Sequence, residues 1–141
     1  MRSTIDVASS ASELRIVLGQ LIRRLRAENA FPISQGTVLA RLEREGPLTA
    51  STLAVAERVR QQSMAHTIAE LEAAGLVVRR PDPLDGRRVL IELTASGLDK
   101  LTEDRGRREG WLASAIVSEL TPKEQETLVR AVPLLGRLTA A

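Results

Sequence analysis

Side chains with hydrogen-bonding chemistry at useful spacing cluster in two short stretches of this chain, 58–67 and 85–88. In the first, Arg58 and Arg60 lead into Gln61, Gln62, Ser63, His66 and Thr67, with no acidic residue among them. Side-chain amides pair bidentately with adenine edges, hydroxyls and imidazole donate to bases or phosphates, and guanidinium groups hold phosphates. In the second, Asp85 and Gly86 precede Arg87 and Arg88. A glycine lets backbone approach a ligand closely, and an arginine suits a narrow, electronegative groove. Asp85 repels phosphate, so its expected role is to cap the turn or orient an arginine. Other chemistries are excluded. The chain has no cysteine and a single histidine, which removes disulfides, thiolate zinc sites, cysteine redox sensing and His-rich metal sites. No nucleophile–base pair and no phosphate-cradling glycine loop is present, so the expectation is a non-enzyme with no cofactor or metal.

The elements that must position these residues follow from periodicity. Leu14, Leu18, Leu21 and Leu25 recur at helical spacing, with Ser10 and Glu13 spaced as a capping box, so a first helix is expected to reach about Glu28. A second begins at Ser34 as N-cap, carries Val38, Leu39 and Leu42, and stops at Gly46-Pro47. Two short helices follow over roughly 50–56 and 61–74, with Leu53, Val59, Met64, Ile68 and Leu71 packing together and Gly75 as a left-handed stop. The period then changes from 3.6 to 2. Residues 76–80 and 89–93 read as strands, joined by a polar tip in which Asp85-Gly86 is the natural hairpin turn. Thr94 caps a fifth helix to about Ser118, polar in its middle and weakened by Gly106 and Gly110. Thr121, Pro122 and Glu124 open a sixth, which Pro133 should kink or loosen.

Helix, tight turn, helix and two-stranded ribbon is the winged helix-turn-helix plan, in which the second helix lies in a DNA major groove and the ribbon reaches an adjacent groove or the backbone; Glu70 and Glu72 fall where that helix would be leaving the groove. The expected fold is therefore mainly α with a small two- or three-stranded β-wing. A DNA-binding lobe spans 33–93, read chiefly through 48–93, and helices over 8–28 and 95–138 flank it in one chain of 141 residues.

The stretch L-E-A-A-G-L-V-V-R-R-P-D-P-L-D-G-R-R-V-L-I-E-L-T-A-S-G resembles the signature of the MarR family of bacterial transcription regulators. Asp82, Pro83, Asp85, Arg87, Leu93, Thr94 and Gly97 match its wing motif and the segment after it in order. The upstream S-Q-G-T-V-L-A-R-L and G-P-L-T-A-S-T-L-A are similar to its second and third helices. The resemblance implies a homodimer that binds a pseudo-palindromic operator in double-stranded DNA, joins through its terminal helices and is often released by a small-molecule inducer. Two departures stand out. Arg60 occupies the recognition-helix cap, where the family places Ser, Thr or Asp, and the cysteine of the peroxide-sensing branch is missing.

Plainer readings set the expectations elsewhere. Arg105, Arg107 and Arg108, flanked by Glu103, Asp104 and Glu109, read as a solvated helix face with i,i+4 pairs. Trp111 reads as a packing residue. The stripes through Leu14, Leu18 and Leu21 and through Leu128, Val132 and Leu135 exceed what a small lobe can cover, and are assigned to dimerisation. A net charge of +2 contributes almost nothing to the nucleic-acid reading. The alternative function is a winged-helix protein–protein interaction module without specific DNA binding. No apolar run is long enough for a membrane span and the first residues lack a leader's hydrophobic core, so a cytoplasmic protein is expected.

Overall fold

The computed structural model describes residues 5–141; residues 1–4, which carry part of the leader reading, lie outside them. Six helices and two strands follow one another: α1 (Val7–Arg26), α2 (Ile33–Glu45), α3 (Ala50–Glu57), α4 (Gln61–Ala73), β1 (Val77–Pro81), β2 (Val89–Leu93), α5 (Ala95–Glu119) and α6 (Pro122–Leu138). By internal contacts the described chain forms two units, residues 29–106 and residues 5–28 with 107–141.

The central unit owns the core. Val38, Leu39 and Leu42 of α2, Leu53 and Ala54 of α3, Met64, Ile68 and Leu71 of α4, Leu76, Val77, Ile91 and Leu101 are all buried. Aliphatic side chains at i, i+3/i+4 spacing on three short helices close over one face of an antiparallel ribbon in which Val77 pairs with Leu93 and Pro81 with Val89. Leu48 exchanges both backbone hydrogen bonds with Ile91, at 3.1 and 2.7 Å, adding a single-residue third strand. Gly75 takes the left-handed conformation (φ 76°) that ends α4. Thr94 then locks ribbon to helix: its hydroxyl donates to the Gly75 carbonyl at 2.7 Å and accepts from the Gly97 N–H at 3.0 Å.

Several local expectations are corrected. The first helix starts earlier, with Asp6 rather than Ser10 as N-cap, its carboxylate accepting from the Ser9 N–H. The second starts at Ile33 behind Pro32, without a side-chain cap, because proline presets the entry backbone. α6 runs through Pro133 to Leu138, and α5 runs through Gly106 and Gly110 to Glu119. The acidic–basic middle of α5 is not simply solvated. Asp104 is only 2% exposed and accepts from the Ala30 N–H at 2.5 Å. Arg105 reaches Glu43 of α2 through two nitrogens, at 2.7 and 3.1 Å. That guanidinium fork holds the Glu43 carboxyl below its ordinary range.

The other unit is built differently. Among the described residues, none in 5–28 or 107–141 is buried. Leu14, Leu21, Leu128 and Leu135 are half-buried, while Leu18 and Val132 are exposed. Val17, Ile22, Val129 and Leu138 are exposed too, so the uncovered apolar surface is wider than the expected stripes. Trp111 is half-buried beneath Arg24, whose guanidinium carbon lies 4.3 Å from the ring centroid.

Candidate nucleic-acid interface

The connection between α3 and α4 is short and specific. Thr49 caps α3 by accepting from the Thr52 N–H at 3.2 Å. Arg58 ends that helix in the left-handed region (φ 56°, ψ 44°), the only described non-glycine residue with positive φ. Val59 donates back to the Ala54 carbonyl at 3.0 Å, and Arg60 takes the extended N-cap conformation of α4. No side chain caps α4, so its first N–H groups have no side-chain acceptor and present a partial positive charge. Arg58 and Arg60 are exposed beside them.

Burial of Met64, Ile68 and Leu71 fixes the phase of α4. At about 100° per residue, Gln62, His66, Ala69 and Ala73 lie opposite that apolar side, with Ser63 and Glu70 next to them. Gln61 is exposed on the shoulder of the helix rather than at its outer crest. Thr67 is drawn away from the expected outer set: it is half-buried, and its hydroxyl donates to the Ser63 carbonyl at 3.1 Å. Ser63 and Thr67 line a cleft of about 310 Å³ with Ile33, Ser34, Thr37 and Val59. His66 is exposed and pairs with Glu70, its Nε2 lying 2.5 Å from Glu70 Oε1. The other oxygen of Glu70 accepts from Gln35 Nε2 at 2.9 Å. Sequence reasoning placed Glu70 beyond the working face and assigned nothing to Gln35. The i,i+4 spacing of His66 and Glu70 was the available signal for half of this chain of contacts.

The wing tip is held by its own aspartates. The Leu84 N–H donates to Asp82 Oδ1 at 2.9 Å, and Asp82 N–H donates to the Arg88 carbonyl at 2.9 Å. Asp85 accepts from both the backbone N–H and the Nε of Arg87, at 3.1 and 3.2 Å, and so caps the turn and orients the arginine. The Arg87 side chain remains 93% exposed. The tip expected at Asp85-Gly86 is formed as a turn in which the Arg88 N–H donates to the Asp85 carbonyl at 3.0 Å. Gly86 has no positive φ, because the longer loop over 82–88 closes without one, and open space surrounds its Cα. Arg88 lines a shallow surface with Val89 and Thr49–Thr52 at the start of α3.

Electrostatics separate the arginines of this unit. Arg41 pairs with Glu57 and Glu45, Arg79 with Glu72, Arg80 with Glu92 and Arg105 with Glu43. Hydrogen bonds donated by Arg41 to Glu57 and then to Glu45 raise its pKa above the ordinary value. Among the described residues Arg58, Arg60 and Arg88 make no ion pair, so their charge is available to an anion. No group of His, Asp and Glu suited to a metal ion occurs among the described residues.

A short helix, a strained turn, a helix with a polar outer face and a basic-tipped ribbon define a winged helix-turn-helix lobe. The MarR family model matches residues 31–88. The chain is 37% identical to an uncharacterized HTH-type transcriptional regulator of Mycobacterium bovis, over 91% of each. It is 36% identical to an uncharacterized HTH-type transcriptional regulator of Mycobacterium leprae, over 93% of each. A crystal structure of a candidate transcriptional regulator from Pseudomonas aeruginosa shares 38% identity and superposes with a TM-score of 0.83, covering 97% of this chain and 98% of that one. The fold alone is shared with a mutant of Staphylococcus aureus MepR bound to an oligodeoxyribonucleotide, at a TM-score of 0.70 and 24% identity over 92% and 97% of the two chains. This chain belongs to the MarR family and is a DNA-binding transcriptional regulator of the winged helix-turn-helix type.

Proposed function

We propose that the protein is a repressor that binds a pseudo-palindromic operator as a homodimer. The observation carrying this reading is the unit formed by residues 5–28 and 107–141, which exposes Leu18, Ile22, Val129, Val132 and Leu138 and buries none of its residues. Helices with so little covered apolar surface are stabilised by a partner, and a second copy is the closed, self-complementary solution. Two-fold symmetry would set two α4 helices about 34–36 Å apart, one turn of DNA.

In each half-site the outer face of α4 reads bases through Gln62 and His66, with Gln61 and Ser63 at its edges. Arg58 and Arg60 hold phosphates at the helix entrance. Arg87, oriented by Asp85, enters the minor groove, where Gly86 offers no side chain to obstruct approach, and Arg88 contacts the backbone. Thr67 contributes less, because its hydroxyl is already engaged. The protein acts in the cytoplasm by occupying its operator, without catalysis. A small-molecule effector is accommodated by the cleft between α2 and α4, lined by Ile33, Val59 and Ser63.

Fluorescence anisotropy with operator-sized duplexes, paired with sedimentation of the complex, tests the reading. Two chains per inverted repeat and affinity falling steeply with salt are expected. One chain per duplex, or equal affinity for every sequence, would overturn it.

A further inference from the structure

His66, Glu70 and Gln35 form a continuous chain of side chains from α2 to the outer face of α4. Glu70 Oε2 accepts from Gln35 at 2.9 Å, and its Oε1 faces His66 Nε2 at 2.5 Å. Both carboxylate oxygens are therefore committed, one to the scaffold and one to the imidazole. The pair is exposed, with side-chain accessibilities of 77% for His66 and 45% for Glu70. Exposed ion pairs contribute little to stability, because solvent screens them and holding two side chains costs entropy. Orientation is the larger consequence. An ionised carboxylate only accepts hydrogen bonds, so the proton of a neutral His66 ring sits on Nε2 and Nδ1 is left as an acceptor.

We propose that Gln35 and Glu70 are positioning residues that fix the tautomer and direction of His66, making it a reader of bases that present an amino group in the major groove. Adenine N6 and cytosine N4 are the donors that fit a bare imidazole nitrogen; guanine and thymine offer only acceptors there. The inference rests on α4 being the groove-reading helix.

The test is selection of bound duplexes from a randomised library, followed by sequencing. Wild type should show an adenine or cytosine preference at one position per half-site. His66→Ala and Glu70→Ala should each reduce that preference by roughly five- to hundredfold. Gln35→Ala should weaken it partly, all with melting temperature unchanged. Glu70→Gln keeps an amide oxygen to accept from Nε2 and should restore the preference. The double variant His66→Ala/Glu70→Ala should be no worse than His66→Ala. A preference that His66→Ala removes but Glu70→Ala leaves intact overturns the positioning role. One that survives His66→Ala overturns base reading by the histidine while leaving the docking of α4 standing. Loss of all sequence preference in the wild type would bring down both.

Discussion

Arg58 is where local conformation and function pull against each other. A non-glycine residue in the left-handed region carries a steric cost of roughly 1 kcal/mol, and the chain bears it at the one turn that sets α4 against α3. Glycine would meet that geometry without strain. Arg58→Gly is therefore expected to raise thermal stability by up to about 1 kcal/mol. The same change should lower operator affinity and reduce the salt slope by about one phosphate contact. Equal affinity in anisotropy titrations would show that the arginine serves the turn alone. Arg87 and Gln62 divide the work differently. Arg87 is held only by Asp85 and is otherwise in solvent, so Arg87→Ala should weaken binding across all sequences. Gln62→Ala should instead redistribute preference among operators by roughly 1–3 kcal/mol at one base pair. Competition binding with single-base operator variants separates the two, and identical profiles would contradict the docking mode.

Helix ends and helix–strand junctions carry their own predictions. A Cβ built on Gly97 would meet the Leu76 carbonyl oxygen at 2.1 Å and Leu93 Cδ1 at 2.7 Å. The first is rigid backbone at the junction of α4 and β1. Gly97→Ala should push α5 off the ribbon and cost the central unit roughly 1–3 kcal/mol, as overpacking does, and a denaturant midpoint unchanged from wild type would refute the close approach. At the start of α6, Thr121 and Glu124 form a reciprocal cap, with hydrogen bonds of 3.3 and 2.9 Å. The Thr121 backbone N–H holds the Glu124 carboxyl below its ordinary value of 4.5. A lowered carboxyl pKa contributes stability that is present above the ordinary value and lost as pH falls through the lowered one. The stability advantage of wild type over Glu124→Gln, measured by circular dichroism, should accordingly be present at neutral pH and shrink as pH falls below the ordinary carboxyl value; an advantage constant with pH would refute it.

At the scale of the molecule, the contrast between the two units is the main finding. The central unit buries twelve apolar side chains, whereas α1 and α6 bury none. On α1, Val17 and Ile22 widen the Leu14–Leu18–Leu21 stripe into a face that water covers in one chain alone. Stability should therefore rise with protein concentration, as for any assembly whose folded state is the oligomer. Ile22→Asp should shift sedimentation toward the single chain and abolish high-affinity operator binding while leaving a lone lobe able to bind a half-site weakly. A melting temperature independent of concentration would contradict the dimer.

Much of this was legible before any coordinates. The switch from 3.6 to 2 periodicity after Gly75, the strand at 89–93, the limits of α4 and the cap at Thr121 all depend on neighbours in the chain, and local sequence encodes such short-range preferences directly. The tertiary structure decided what depends on distant partners. Asp104 reads as one acid among solvated charges, yet it is buried because the Ala30 N–H needs an acceptor there. Thr67 reads as a groove contact, but the phase fixed by Met64, Ile68 and Leu71 turns it toward α2. Glu70 reads as a residue leaving the interface, and only the approach of Gln35 from α2 gives it something to hold against His66. The polar set on α4 thus began as a run of residues from Gln61 to Thr67. Packing narrows its outer crest, with Gln62 and His66 at the centre.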